Sequence, residues 1–154
     1  MRRIQVPVRE HHHRFPRASY RGCVFAAFHA CVLGRKRVFA DGEVVATVRD
    51  MLSAAMEHHG CSILAYCFMP DHAHVVVRGR DAEADAWAGM VRWKGVSGRW
   101  LTKNTCARWQ KDFYDSVLIV PEAVQGEIEY VLLNPVRNKM VSDWWDYPYS
   151  WRCE

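Results

Sequence analysis

Tyr66-Cys67-Phe68-Met69-Pro70-Asp71-His72-Ala73-His74-Val75-Val76-Val77 is the stretch on which the fold turns. Apolar, β-branched and aromatic residues on either side of Pro70-Asp71 predict two strands, over 62–69 and 72–78, divided by a bend or bulge. Successive side chains of a strand point to opposite faces, so His72 and His74 point the same way. Two imidazoles side by side on a sheet are half of a metal site.

A second stretch, Glu129-Tyr130-Val131-Leu132-Leu133-Asn134-Pro135-Val136-Arg137, sets a tyrosine four residues ahead of a carboxamide. On a helix those two side chains share one face. Asn134-Pro135 is a natural helix stop, because the residue before proline is pushed away from helical backbone.

Working outward, an apolar run over 22–33 predicts a first strand. Asp41 can cap a helix carrying Val44, Val45, Val48, Met51, Leu52, Ala55 and Met56 at helical spacing, and Gly60 can end it. Residues 84–103 read as a helix with an awkward middle at Gly95, Ser97 and Gly98. Residues 116–120 read as a fourth strand, 122–133 as a helix bearing Tyr130, and 136–141 as a further helical turn. The tail is aromatic and turn-rich. Strand, helix, strand, strand, helix, strand, helix predicts an α+β fold: an antiparallel sheet with helices packed mainly on one face. Residues 1–19, basic and broken by Pro7 and Pro16, read as an N-terminal arm, with 20–154 a single domain.

These motifs together resemble the small single-domain transposases of the HUH class, and within it the REP-associated tyrosine transposases. The resemblance rests on Pro16-Arg17-Ala18-Ser19-Tyr20-Arg21-Gly22, on 65–74, on Trp109-Gln110-Lys111-Asp112-Phe113-Tyr114-Asp115, on 130–141 and on Tyr147-Pro148-Tyr149-Ser150, in that order. It implies a ferredoxin-like HUH-nuclease fold and cleavage of single-stranded DNA by one tyrosine, Tyr130, beside a hairpin such as a REP-like palindrome. It also implies a metal, Mg²⁺ or Mn²⁺, on His72 and His74, with Asn134 at the position of the third ligand. Asp71 then orients the strand without ligating. The REP-associated branch favours a monomer over the homodimer of the wider family.

Composition fits this expectation. A chain of 154 residues, half of them hydrophobic, is one domain with a sizeable core. Its net charge of +4 and pI of about 8.8 permit a nucleic-acid partner. The basic residues form short clusters. Arg35, Lys36, Arg37, Lys94, Arg99 and Arg137 are the candidate phosphate contacts, and Lys94 and Arg99 lie in a segment resembling one that the wider family uses near DNA. Seven tryptophans exceed what a small core needs, and Trp93, beside Lys94, is the candidate for stacking on a base. No apolar run approaches the roughly 20 residues of a membrane span. Six cysteines without C-x-x-C spacing, and no secretory signal, predict a cytoplasmic chain with free thiols. His11-His12-His13 reads as incidental.

On the residues alone, two other readings stay open. One is a domesticated, non-transposing DNA-binding regulator of the same fold. The other is a small zinc or RNA-processing domain of ferredoxin-like shape, since Cys67 stands five residues before His72.

Overall fold

The structure, a computed structural model, describes residues 14–154. Its elements run β1 (Phe25–Cys31), α1 (Gly42–His58), β2 (Cys61–Met69), β3 (His72–Gly79), α2 (Ala86–Asn104), β4 (Tyr114–Leu118), α3 (Pro121–Leu132), α4 (Asn134–Arg137) and β5 (Ser150–Arg152). The five strands form one sheet in the order β4-β1-β3-β2-β5, and every pairing is antiparallel. The α+β class expected from the pattern is the one found.

Alternation along the strands divides the side chains between two cores. On one face Ala26, Phe28 and Ala30 of β1, with Ala73, Val75 and Val77 of β3, bury against α1 and α2. On the other, Ala27 and Val76 meet Ile128, Val131 and Leu132 of α3. β2 changes parity on the way. Its register against β3 shifts between Ile63 and Ala65. Cys61 and Ile63 therefore face α1 and α2, as do Tyr66 and Phe68 beyond the bulge, while Ala65, Cys67 and Met69 face α3. One extra residue re-aims everything after it.

Local chemistry sets the helix ends. Asp41 caps α1, its Oδ1 accepting from the Glu43 amide at 2.9 Å, and Gly60 follows the helix at φ +69°, a backbone that glycine adopts without strain. Asp85 caps α2 by accepting from the Ala88 amide. α2 runs unbroken through Gly95, Ser97 and Gly98. Ser97 Oγ donates to the Trp93 carbonyl at 2.6 Å and accepts from Trp109 Nε1 at 2.9 Å. The serine thus bonds within its own helix and ties Trp109 to it. Where β3 ends, a side chain on Gly79 would begin 1.9 Å from the Gly22 carbonyl oxygen, so the crossing of the two segments requires glycine.

Three expectations change. The fourth strand lies two residues earlier than predicted, at Tyr114–Leu118, and the tail supplies a fifth strand paired with β2. The arm predicted over 1–19, with His11–His13, lies outside the described residues as far as 13. Beyond it Phe15 packs on the larger core, and Tyr20, the first residue of the expected domain, is fully buried. The Tyr20 hydroxyl donates to the Asp115 carboxylate. No helix of the described residues is long and apolar enough to cross a membrane, and all six cysteines are free.

Candidate metal and tyrosine site

The sheet face that carries α3 also carries three histidines. His72 and His74 project from β3, as their spacing requires. His29 stands directly opposite His74 on the neighbouring strand β1, on the same face by parity. The ring centroids of His29 lie 4.2 Å from His74 and 4.9 Å from His72, and those of His72 and His74 are 5.1 Å apart. One ring nitrogen from each of the three falls within 4.8 Å of the others. No sequence motif flags His29, whose partners stand 43 and 45 residues away; only strand register brings them together.

Burial keeps His72 and His74 neutral. It lowers the basicity of His74, with help from the neighbouring His29, His72 and Arg137, to a pKa of about 2. Burial lowers His72 as well, against the opposing pull of Asp71. A neutral imidazole has a lone pair to offer a metal. Asp71 Oδ1 lies 2.7 Å from His72 Nδ1, a contact that holds the proton on Nδ1 and leaves Nε2 as the ligand atom. Arg35 Nη1 stands 3.8 Å from the other Asp71 oxygen and donates to Cys31 Sγ at 3.3 Å. The donor set fits a divalent ion.

Tyr130, near the C-terminus of α3, is 51% exposed. Its ring centroid lies 6.0 Å from that of His74. Both line a cleft of about 310 Å³ with His29 and Tyr114. Arg137 covers the tyrosine from α4, its guanidinium carbon 4.0 Å from the ring centre, and Nη2 donates to the Tyr130 carbonyl at 2.7 Å. The tyrosine helix stops ahead of Pro135 as expected, and the next helical turn starts two residues earlier than expected, so Asn134 opens α4. Asn134 is buried, and its Oδ1 accepts from Asn138 Nδ2 at 2.8 Å. A second lone pair stays on that oxygen.

The candidate DNA contacts divide. Arg35, Lys36 and Arg37 are exposed in the turns after β1, with Arg35 tied to the site through Asp71 and Lys36 Nζ donating to the Cys106 carbonyl at 2.7 Å. Arg99 is exposed on α2, which packs against the opposite face of the sheet. Trp93 corrects the sequence reading. It is fully buried between Phe68 and Trp109, with Nε1 donating to the Val48 carbonyl at 3.0 Å, so no face of the ring is open to a base. Its neighbour is also committed inward. Lys94 Nζ donates to the carbonyls of Gln110 and Asp112 at 2.7 and 2.8 Å and clasps the loop before β4. Burial pulls its pKa down to about 8.

Residues 26–121 match the transposase IS200-like family. The chain belongs to the IS200-like transposases. Over 115 residues it is 23% identical to a Haemophilus influenzae protein named as a REP-associated tyrosine transposase, a match that covers 66% of this chain and 65% of that relative's length. Among solved structures the fold is similar to a REP-associated tyrosine transposase bound to a REP hairpin, with a TM-score of 0.75 and 16% identity, covering 92% of this chain and 81% of the other. It is also similar to a transposase of Deinococcus radiodurans R1, with a TM-score of 0.54 and 17% identity, covering 84% and 97% respectively.

Proposed function

We propose that this IS200-like transposase is a metal-dependent endonuclease and strand transferase that cuts and rejoins single-stranded DNA beside a hairpin. A half-exposed tyrosine next to buried His74, in one cleft with His29, is the observation that carries this reading. In the proposed reaction the Tyr130 phenolic oxygen bonds to the scissile phosphorus, and the P–O3′ bond breaks. The phenol gives up its proton to solvent, and the 3′ oxygen takes up a proton as it leaves and becomes a hydroxyl, while the 5′ end stays on the enzyme as a phosphotyrosine. Attack by another 3′-hydroxyl reverses the exchange, so rejoining needs no external energy source. An ordinary phenol, with a pKa near 10, is about one part in a thousand phenolate at neutral pH. A divalent ion, Mg²⁺ or Mn²⁺, held by His72 and His74 with Asn134 beside them, would supply positive charge to phosphate and nucleophile. Asp71 fixes the His72 tautomer, and Arg137 fixes the tyrosine.

The hairpin in the structurally similar transposase supports a DNA hairpin as partner for this chain, and the exposed Arg35, Lys36 and Arg37 can meet its phosphates. The protein works as a monomer, as the REP-associated resemblance implies, and its free thiols suit the cytoplasm. Incubation with an end-labelled single-stranded hairpin from the DNA flanking the gene, with Mn²⁺, should give a protein–DNA adduct that survives denaturation. Tyr130→Phe should abolish the adduct and keep binding within threefold. An adduct formed by the Phe variant would assign the chemistry to another residue.

A further inference from the structure

We propose that His29 is a metal ligand, and that the resulting three-imidazole centre selects a first-row transition ion over Mg²⁺. The inference rests on the reading that His72 and His74 hold a metal, and goes beyond it in the ligand set and the ion.

Geometry comes first. Three nitrogens on one tetrahedral ion, at metal–nitrogen distances of about 2.0–2.1 Å, stand roughly 3.3 Å from one another. The nearest set here lies within 4.8 Å, and the His29 ring must turn out of its stack on His74 and away from Cys31 Sγ, 3.4 Å from its Nε2, to bring the third nitrogen onto the ion. The strands that carry the three histidines are held within the sheet. β1 is an inner strand with neighbours on both sides. The His29 ring is stacked between His74, at 4.2 Å and 25°, and Tyr114, at 5.2 Å and 23°. His72 is oriented by Asp71. The cleft on which His29, His74 and Tyr130 open leaves a side of the ion free for a phosphate oxygen, as catalytic three-ligand centres require.

Donor chemistry decides the ion. Mg²⁺ favours oxygen ligands and gives up its waters reluctantly. Imidazole nitrogen favours zinc and the later transition metals, and affinity rises from Mn²⁺ through Co²⁺. The clustered group contains three nitrogens and no carboxylate. The adjoining carboxylate, Asp71, is turned to His72 and Arg35. Asp115, which accepts from the Tyr20 hydroxyl, and Glu127 line the cleft outside the clustered group. A centre built for Mg²⁺ would place a carboxylate oxygen on the ion. Of Mg²⁺ and Mn²⁺, the site favours Mn²⁺, and Co²⁺ or Zn²⁺ bind more tightly still.

The test uses tag-free full-length protein, stripped with a chelator and carrying His11→Gln, His12→Gln and His13→Gln so that the N-terminal imidazoles cannot compete. Zn²⁺, Co²⁺, Mn²⁺ and Mg²⁺ are titrated alone by calorimetry, and the Co²⁺ form is read by visible absorption. Zn²⁺ and Co²⁺ should bind at least a hundredfold more tightly than Mg²⁺, and the cobalt form should show intense bands of low coordination number. His29→Phe keeps a ring in the stack and removes both nitrogens. It should weaken Zn²⁺ at least tenfold and dim the cobalt bands. Wild-type Zn²⁺ affinity in His29→Phe would overturn the proposal. If His72→Ala and His74→Ala then still lose the metal, the two-histidine site stands without His29. If they also keep it, the metal reading itself falls. Should His29→Phe melt early, nitrogen NMR of the wild-type imidazoles decides: three rings shifted by Zn²⁺ support the assignment and two overturn it.

Discussion

The guanidinium of Arg137 lies over the ring of Tyr130, 4.0 Å from its centre, and the same side chain bonds the Tyr130 carbonyl. One residue thus holds both the ring and the backbone of the proposed nucleophile, across the break that Pro135 introduces between α3 and α4. Arg137→Met should slow single-turnover adduct formation about tenfold, since a small misplacement of reacting atoms is costly, with DNA affinity changed less than threefold. A phosphate contact would give a different result: weaker binding, and a log affinity against log salt slope shallower by roughly 0.7. Measuring both on one variant separates positioning from DNA contact.

Asp71 touches His72 and not the cleft. Asp71→Ala should therefore cost roughly 10–100-fold in metal affinity or cleavage, the range for groups that orient a ligand. Excess Mn²⁺ should recover part of the rate. Calorimetric titration of the variant is the check, and an affinity equal to wild type would remove Asp71 from the site.

Trp93 and Lys94 should register in stability and not in DNA binding. Trp93→Ala empties a fully buried site and should cost about 3–5 kcal/mol. Lys94→Met strands two short carbonyl contacts and should cost about 1–3 kcal/mol. Urea unfolding measures both. The salt slope of DNA binding, taken where each variant is fully folded, should match wild type; a shallower slope for Lys94→Met would return that lysine to the DNA surface.

Burial raises the Cys67 thiol to a pKa of about 12, against an ordinary value near 9. The native chain keeps this proton while the unfolded chain releases it. Stability from this group is therefore complete below pH 9 and declines between 9 and 12, by up to about 1.4 kcal/mol per pH unit. Buried Tyr20 and Tyr147 act in the same direction. Cys67→Ala should show a shallower alkaline decline than wild type in urea midpoints taken at pH 8, 9 and 10. Identical declines would locate the effect in the tyrosines.

How much of this was legible in sequence varied with the range of the physics. Strand parity is local, so the shared face of His72 and His74 followed from two residues. Helix caps are local too, and Asp41 marked the start of α1. β5 escaped because three residues after Pro148 are too few to show alternation, and pairing with β2 defines them. His29 escaped because register across β1 and β3 is a property of the folded sheet. Trp93 and Lys94 misled for a related reason: adjacency of a ring and a cation in sequence does not say which face of the sheet their helix covers. α2 covers the face away from the histidines, and there both side chains turn inward.

The division of the sheet into two faces has an evolutionary side. Most of the apolar packing lies with α1 and α2, while the histidines share the thinner layer beneath α3. A substitution that silences the chemistry leaves the thicker layer intact. Under the proposed function, copies of this gene that lose the ability to cut DNA would still produce a folded protein with its basic turns displayed, a ready starting point for a descendant that binds hairpins without moving them.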